Sequence, residues 1–382
     1  MISLEVNGLS KRFSLRTPPA VNQVSIRVNE GEIHALTGES GSGKSTILRM
    51  IAGFEVPDEG EIVLKGKTVS RARPPLHLVP EKRSVGMVFQ DNALFPHLTV
   101  AGNIGYGVSS DLRRQRVEEL LELVHLTPYA RRYPHEISGG QAQRVALARA
   151  LAPGPDILLM DEAFNSLDRR LKMHLLPEIR RIIHSVGIPL LFVSHDRNEV
   201  FDIADRISIM HEGRILQTGT PSQLYGEPVD CYTAEFFGDA NFIRREGATY
   251  LIRPEQLRIC TPESKKDDPG AERDEPGVKQ AGPGIEKHDP GVKQAGPGQK
   301  RASASRGGRQ PADSASFSGR ILERHYRGDH LELWLSCSHP EWGPENTAMK
   351  MRVQDHRIPW ESLTEGSSVL LKLEPGAMVK LG

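Results

Sequence analysis

The sequence predicts an α/β domain with a doubly wound parallel sheet, followed by a small all-β domain that a disordered insert interrupts. Three observations predict this. Apolar strands alternate with helix-period segments in the first part of the chain, only strand patterns follow, and a stretch without aromatic residues or leucine lies between two of those later strands. The expected domains are 1–239 and 240–382, with the insert at 261–315.

The elements of the first domain follow from periodicity. Strands with one buried face alternate apolar and polar residues, whereas strands covered on both faces are wholly apolar. Helices are expected where apolar and charged residues recur at helical spacing. The predicted strands are 2–6, 24–28, 32–37, 156–160 and 188–193, and the predicted helices are 44–52, 111–124, 141–151 and 171–186.

The second domain shows strand patterns and no helical ones. Strands are expected at 250–259, 316–326, 330–335 and 368–373. All three tryptophans, Trp334, Trp342 and Trp360, fall in this region and indicate a core of its own.

The insert is rich in Pro, Gly and charged residues. The run Pro-Gly-Val-Lys-Gln-Ala-Gly-Pro-Gly begins at Pro276 and recurs at Pro290. Such a composition cannot bury enough apolar area to offset chain entropy. Two interpretations remain, a tethered recruitment arm and an expanded disordered loop, and the composition favours the loop.

Composition excludes several classes of protein. Lys plus Arg equals Asp plus Glu at 49 each, which argues against a strongly basic nucleic-acid footprint. The three cysteines, Cys231, Cys260 and Cys337, are too far apart for a disulfide framework or a metal pair. The longest apolar runs are too short to span a bilayer, and the amino terminus lacks a leader pattern. A soluble cytoplasmic chain is expected.

A glycine-rich loop after the third strand is the first motif with a chemical meaning. Residues 38–45 fit G-x-x-x-x-G-K-[ST] between a predicted strand and a predicted helix. The backbone N–H groups that the glycines leave accessible, together with the helix N-terminus, favour the binding of a phosphate. The lysine supplies a positive charge for the β- and γ-phosphates, and the serine supplies a hydroxyl ligand for Mg²⁺. The alternative is a Gly/Ser turn without a ligand. The predicted nucleotide-binding residues are Gly38, Glu39, Ser40, Gly41, Ser42, Gly43, Lys44, Ser45 and Thr46.

An acidic pair ends the apolar strand at 156–160. The carboxyl ends of parallel strands face the ligand crevice, so Asp161 is placed to hold Mg²⁺. Glu162 is expected beside the γ-phosphate, where it orients or deprotonates the attacking water. The alternative, an acidic pair at a helix start, is disfavoured by the glycine-rich loop upstream.

A second helix start carries the run Ser-Gly-Gly-Gln. Ser138 is a natural N-cap, and Gly139 and Gly140 leave backbone donors bare before Gln141. For the run taken alone, an ordinary capped helix is the favoured interpretation. Its position shortly before the acidic strand favours an anion-receiving terminus.

These motifs together resemble the ATPases of ABC transporters. The run 138–151, Ser-Gly-Gly-Gln-x-Gln-Arg-Val-Ala-Leu-Ala-Arg-Ala-Leu, resembles their signature. The resemblance implies that Gln90 is the Q-loop glutamine that senses Mg²⁺ and water, that Asp168 belongs to the D-loop, and that His195 is the switch histidine at the γ-phosphate. It also implies that Phe13 stacks on adenine, the alternative being a core residue at a strand edge.

The resemblance narrows to importer ATPases for ferric iron, polyamines, sulfate and sugars. In the first domain this narrower resemblance rests on residues 83–107, 219–225 and 237–243. In the second domain it rests on residues 252–256 and 363–372, which are similar to the C-terminal TOBE β domain of that group. The chain departs from the family at Ile137, Ala163 and 165–166, where no charged or hydrogen-bonding catalytic group is lost.

What the resemblance implies is an ATP hydrolase that drives import. Glu162, His195, Gln90 and Lys44 would be catalytic, and Ser45, Gln90 and Asp161 would hold Mg²⁺. The partners would be a second copy of the chain, permease subunits contacting 90–106 and, indirectly, a solute-binding protein, with no nucleic acid. The chain would lie on the cytoplasmic face of the membrane. The motifs lean toward ferric iron, with polyamine, sulfate or molybdate, and sugar as alternatives and a nucleic-acid ATPase as a remoter one.

Overall fold

The structure, a computed structural model, describes residues 1–165, 167–260, 316–339, 341–342, 347–354 and 358–382. The insert at 261–315 and Ser166 lie outside the described residues. The chain divides into two compact units: the first comprises 1–242 and 379–382, and the second comprises 243–378. Among the described residues, no helix combines the length and the apolar character needed to cross a membrane.

The described residues of the first unit form two sheets and eight α-helices, besides short 3₁₀ turns. Its main strands are β1 (Ile2–Lys11), β2 (Val21–Asn29), β3 (Ile33–Gly38), β4 (Glu59–Leu64), β5 (Lys67–Arg71), β6 (Leu76–His77), β7 (Val85–Val88), β8 (Ile157–Asp161), β9 (Leu190–Val193), β10 (Arg206–His211) and β11 (Arg214–Gly219). Its helices are α1 (Lys44–Ala52), α2 (Val100–Ile104), α3 (Ser110–Leu123), α4 (Gly139–Leu151), α5 (Arg169–Val186), α6 (Arg197–Ile203), α7 (Pro221–Gly226) and α8 (Cys231–Phe237).

The larger sheet is the predicted parallel one. Its order is β11-β10-β3-β9-β8-β7, and the strands from β10 to β7 run parallel. The strands β3 and β9 are buried throughout, as expected for strands covered on both faces. The predicted α/β fold class is therefore confirmed, and α1 begins and ends at the predicted residues.

A second sheet in this unit was not predicted. The two amino-terminal strands do not join the parallel sheet; they belong to an antiparallel sheet of order β2-β1-β4-β5-β6. Its apolar face, with Leu4, Val6 and Ile26, packs into one core with α1 and one face of the parallel sheet. Alternation shows that one face of a strand is buried, but it does not show which strand is its neighbour.

The remaining strands are β12 (Asn241–Arg245), β13 (Ala248–Ile252), β14 (Leu257–Ile259), β15 (Phe317–Tyr326), β16 (Leu331–Ser338), β17 (Thr347–Val353), β18 (Ser368–Leu373) and β19 (Val379–Lys380). The second unit contains an antiparallel sheet of order β14-β18-β15-β16-β17 over its own apolar core. This agrees with the predicted all-β region.

Two expectations for the second unit need correction. The predicted strand 250–259 is broken by a short 3₁₀ turn at Pro254–Gln256, because proline has no amide hydrogen to give to a sheet. Trp342 is buried in the core and Trp360 packs against it, but Trp334 is 41% exposed on β16. The three tryptophans are thus not all core residues.

Candidate active site

The parallel sheet brings four predicted loops to one edge. Gly38 pairs with Met210, Leu36 with Val193, Asp161 also with Val193, and Val88 with Met160. The carboxyl ends of β3, β9, β8 and β7 are therefore neighbours. The glycine-rich loop, the His195 loop, the acidic pair and the Gln90 loop follow these four ends, where ligands bind in open α/β sheets.

The glycine-rich loop has a backbone that side chains would block. Gly38 has a φ of 140°, and a Cβ there would lie 2.1 Å from the Met210 carbonyl oxygen. Gly43, the N-cap of α1, has a φ of 101°, and its Cβ would lie 2.1 Å from the Ala20 oxygen. Gly43 offers no capping side chain, so the first amides of α1 face the loop uncapped. A loop of this form fits an anion at the helix terminus.

Lys44 lies inside this loop. Its side chain is buried, and Nζ donates to the carbonyl oxygens of Gly38 at 2.9 Å and Glu39 at 2.7 Å. Burial lowers the pKa of Lys44, and the carboxylates of Glu162, Asp161 and Glu39 oppose that shift. The ammonium group is thus held at the centre of the site by neutral oxygens that phosphate oxygens could replace.

Ser45 and Asp161 meet next to it. The Ser45 hydroxyl donates to Asp161 Oδ1 at 2.8 Å. Burial raises the pKa of Asp161, and the hydrogen bond from Ser45 opposes the rise. No group of three or more His, Cys, Asp or Glu side chains among the described residues could hold a metal ion. Mg²⁺ at nucleotide sites takes only one or two protein ligands besides phosphates, so this oxygen pair fits Mg²⁺.

Glu162 and His195 face each other across the adjacent strand ends. Glu162 has a φ of 48°, in the left-handed region, which turns the chain sharply after β8. Its Oε1 lies 3.5 Å from His195 Nδ1, and its Oε2 accepts from Asn165 Nδ2 at 2.7 Å. Both carboxylate oxygens therefore have a neighbouring side chain, while the His195 side chain stays about half exposed.

Gln90 and Phe13 are both exposed. Gln90 lies two residues beyond β7, whose neighbour β8 ends at Asp161. Phe13 lies beyond the end of β1 and is 61% exposed, with Lys11 Nζ 5.5 Å from its ring centroid. The alternative interpretation of Phe13 as a core residue is wrong.

The predicted signature and D-loop residues cap helices. Ser138 Oγ accepts from the Gln141 amide at 3.3 Å, and the Gln141 side chain accepts from the Ser138 amide at 2.9 Å. Gly139 is exposed and Gly140 packs on Leu171. Asp168 Oδ1 accepts from the Leu171 amide at 3.0 Å and caps α5. These contacts lie within their own helices, and in the part of the chain that the structure describes no hydrogen bond joins the Ser138 or Asp168 side chain to the glycine-rich loop.

Comparison with known proteins decides the family. A family model described as "ABC transporter" matches residues 21–165. The Fe(3+) ions import ATP-binding protein FbpC 2 of Rhodococcus jostii is 42% identical over 284 residues, 68% of this chain and 80% of that protein. The spermidine/putrescine import ATP-binding protein PotA of Pseudomonas fluorescens is 46% identical over 249 residues, covering 63% of this chain and 67% of that protein. The chain belongs to the family of ABC-importer ATP-binding subunits.

The structural comparison agrees. CbiO1 of Clostridium perfringens, part of the ABC transporter complex cbiONQ, superimposes with a TM-score of 0.54 at 27% identity, covering 59% of this chain and 91% of that structure. As a member of this family the importer subunit binds ATP and is an ATPase coupled to transport. The predicted family, fold class and enzyme class are confirmed.

Sequence reasoning missed several polar residues that support the importer subunit's site. Thr37 Oγ1 donates to the Ser194 carbonyl oxygen at 2.8 Å, and the buried Glu199 accepts from the Ser194 hydroxyl at 2.6 Å. Lys172 donates to the other Glu199 oxygen at 2.5 Å. The short spacing of Ser194 and Glu199 is visible in the sequence, but the contact between α5 and α6 that adds Lys172 is not.

Proposed function

We propose that two copies of this chain bind and hydrolyse Mg·ATP with the residues gathered at the carboxyl edge of the parallel sheet. Residues 38–46 hold the phosphates, with Lys44 at the β- and γ-phosphates, and Ser45, Asp161 and Gln90 hold Mg²⁺. Glu162 orients or deprotonates the water, and His195 stands at the γ-phosphate. The observation that carries this is the convergence of four independent loops at one edge. Bound Mg²⁺ would neutralise charge on the phosphates and draw the Asp161 pKa down.

The proposed homodimer follows from what one chain offers. The chain has one glycine-rich loop and one Ser-Gly-Gly-Gln run, and Ser138 and Gly139 are exposed. In the proposed dimer, residues 138–141 and Asp168 of one copy face the nucleotide held by the other. Phe13, beyond β1, stacks on adenine through its exposed ring. Closing the two copies would exclude water from both sites.

The proposed permease contact is the surface around 90–106. It carries the exposed Tyr106, whose ring centroid lies 4.3 Å from that of the partly buried Phe95. Exposed aromatic side chains are enriched at protein interfaces. The chain would then lie on the cytoplasmic face of the membrane, and a solute-binding protein would act through the permease.

We propose ferric iron as the cargo. The runs Leu-Phe-Pro-His-Leu-Thr at 94–99 and Asn-Ile-Gly-Tyr-Gly at 103–107 lean toward ferric iron, and FbpC 2 of Rhodococcus jostii, an Fe(3+) import subunit, is 42% identical over 284 residues. The relative PotA, an importer subunit for spermidine and putrescine, has 46% identity and makes polyamine the second candidate. Deleting the gene and measuring uptake of labelled ferric iron, spermidine and sulfate separates them: loss of iron uptake alone supports the proposal, and loss of spermidine or sulfate uptake with normal iron uptake contradicts it.

The hydrolytic roles are tested with two variants. Glu162→Gln should bind ATP but turn over at least about 100-fold more slowly, because the neutral amide cannot take a proton from the attacking water. Lys44→Ala should lose nucleotide binding. Matched controls are Glu212→Gln, at a similar positive φ in an exposed turn, and Lys65→Ala, an exposed lysine; both should hydrolyse ATP normally. Wild-type turnover in Glu162→Gln, or unchanged ATP affinity in Lys44→Ala, would contradict these assignments.

A further inference from the structure

A buried carboxylate lies behind the His195 loop. Glu199 on α6 is 1% exposed, and its two oxygens have separate partners. Oε1 accepts from Lys172 Nζ at 2.5 Å, and Oε2 accepts from the Ser194 hydroxyl at 2.6 Å. A buried charge is tolerated only when it is paired and hydrogen-bonded, and here both conditions are met.

Ser194, the residue before His195, is held on both sides. Its hydroxyl oxygen accepts from the Asp196 amide at 2.9 Å while donating to Glu199. Its carbonyl oxygen accepts from Thr37 Oγ1 at 2.8 Å, and Thr37 directly precedes the glycine-rich loop. The backbone on either side of His195 is therefore restrained by bonds that end on Glu199 and on β3.

Lys172 brings a third element to this cluster. It lies one turn into α5, and its amide donates to the carbonyl oxygen of Asp168, the N-cap of that helix. Lys172 Nζ also lies 3.8 Å from Asp196 Oδ2. The start of α5 is thus joined through Lys172 to both acidic residues that flank the His195 loop.

These contacts form a continuous chain that leads from α5 to the proposed catalytic groups. From the start of α5 the chain of contacts passes through Lys172, Glu199 and Ser194 to His195, whose Nδ1 lies 3.5 Å from Glu162. Such a chain of contacts restrains the histidine beside the Glu162 carboxylate more firmly than the His195 loop alone would. Placement to well under 1 Å is what such groups need.

We propose that Lys172, Glu199 and Ser194 are positioning residues for ATP hydrolysis, and that they hold His195 against Glu162 from behind. None of the three is proposed to touch the nucleotide. The inference rests on the proposed role of His195 at the γ-phosphate. It adds that the placement of the histidine depends on a buried ion pair between α5 and α6.

The test is steady-state ATP hydrolysis by the full-length chain, with kcat and KM measured separately. Ser194→Ala, Glu199→Gln and Lys172→Met should each lower kcat about 10- to 100-fold, because His195 loses its fixed position. The KM for ATP should change less than about twofold, since the phosphate loop is untouched. Lys172→Arg should retain most of kcat, because it keeps the charge. The double variant Lys172→Met/Glu199→Gln should lose no more than the worse single variant, as expected for one linked unit.

The control is an ion pair made by another residue of α5, away from this chain of contacts. Arg180 on α5 donates to Asp205 Oδ1 at 2.8 Å, so Arg180→Met removes an α5 ion pair without reaching the His195 loop. It should lower the melting temperature and leave kcat unchanged. Ser194→Ala removes only one hydroxyl and keeps the test decisive if Glu199→Gln fails to fold.

His195→Ala separates this inference from the proposed function. If His195→Ala is inactive while Ser194→Ala and Lys172→Met turn over at the wild-type rate, the positioning role is overturned and the proposed function stands. A fall in melting temperature with unchanged kcat in those variants has the same meaning. If His195→Ala itself turns over normally, the proposed role of His195 fails.

Discussion

Asp161 shows how burial tunes a single residue of this site. It ends a buried strand, and burial raises the pKa of its carboxyl group, with Glu162 adding to the rise and Ser45 opposing it. A carboxyl whose pKa is higher in the folded state binds protons more readily there than in the unfolded chain. Asp161 therefore favours folding as the pH falls through its raised pKa and disfavours it when ionised at neutral pH.

Asp161→Asn is predicted to act in opposite directions on stability and activity. The nucleotide-free variant should melt at a higher temperature at pH 7, because an ionised buried carboxylate is gone. This gain should shrink as the pH falls toward the raised pKa of Asp161. Mg²⁺-dependent hydrolysis should be lost. Calorimetry across pH and an ATPase assay check both results, with Asp156→Asn, just before β8 at its opposite end, as control. Lower stability at pH 7 would contradict the prediction.

At the scale of elements, the helix α1 depends on a buried arginine at its far end. Arg83 is 2% exposed, and its guanidinium donates to the Met50 and Ile51 carbonyl oxygens at 2.7 and 2.9 Å, and to the Leu78 oxygen at 2.7 Å. Burial lowers the pKa of Arg83 to about 10, so the group stays charged at neutral pH. A cation at the C-terminal carbonyls complements the helix dipole, whose other end receives the phosphates in the proposed site.

Arg83→Met is therefore predicted to destabilise the first unit by about 3 kcal/mol, because several buried carbonyl groups lose a charged donor. Arg83→Lys should recover only part of this, since one ammonium cannot reproduce the planar fork. Chemical denaturation of the full-length chain measures both. Arg114→Met, an exposed arginine on α3, is the control. A loss below about 0.5 kcal/mol for Arg83→Met would show that the carbonyl groups find other donors.

Elements were predictable from sequence where local signals agree. The bounds of α1 match because a glycine in the left-handed conformation stands at each of its caps, Gly43 and Gly53, and both glycines are visible in the sequence. The prediction of one continuous strand over 250–259 was wrong at Pro254. Proline is itself a local signal against a strand, but the prediction gave more weight to the alternation of apolar residues. Glu199 and Lys172 could not be paired in advance, because their contact depends on how α5 packs on α6. The motifs of the candidate site could be recognised in the sequence, because each lies within a short run of consecutive residues.

At the scale of the whole molecule, the second unit has a buried charged cluster of its own, centred on Glu332. Glu332 on β16 of the second unit is buried, which alone would raise its pKa, yet hydrogen bonds from Arg327 at 3.0 Å and Lys350 at 3.1 Å bring the pKa to about 2. A carboxyl with a lowered pKa stabilises the fold above its unfolded value of 4.5. That stability is lost as the pH falls from about 4.5 toward 2.

Acid titration should therefore weaken the second unit through Glu332. All three tryptophans lie in that unit, so tryptophan fluorescence reports on it selectively. Glu332→Gln should lower the stability of the unit at pH 7 and flatten its dependence on pH between 4.5 and 2. Glu323→Gln, exposed on the neighbouring strand β15, should change neither. An unchanged pH profile in Glu332→Gln would show that other groups dominate.

The arrangement of the whole molecule was less predictable than its parts. The presence of an α/β unit and a β unit could be inferred, because each has its own periodicity. The second sheet of the first unit could not, since β1 and β2 show the same alternation in either sheet. The proposed nucleotide site is shared by two copies, with Lys44 from one copy and Ser138 from the other. The fold of one chain therefore does not predict it.

The most direct measurement is the structure of Glu162→Gln bound to ATP and Mg²⁺. We expect two copies, with Ser138 Oγ of one copy within about 3 Å of the γ-phosphate held at Lys44 of the other. A fully loaded structure in which each γ-phosphate contacts residues of only its own chain would contradict it.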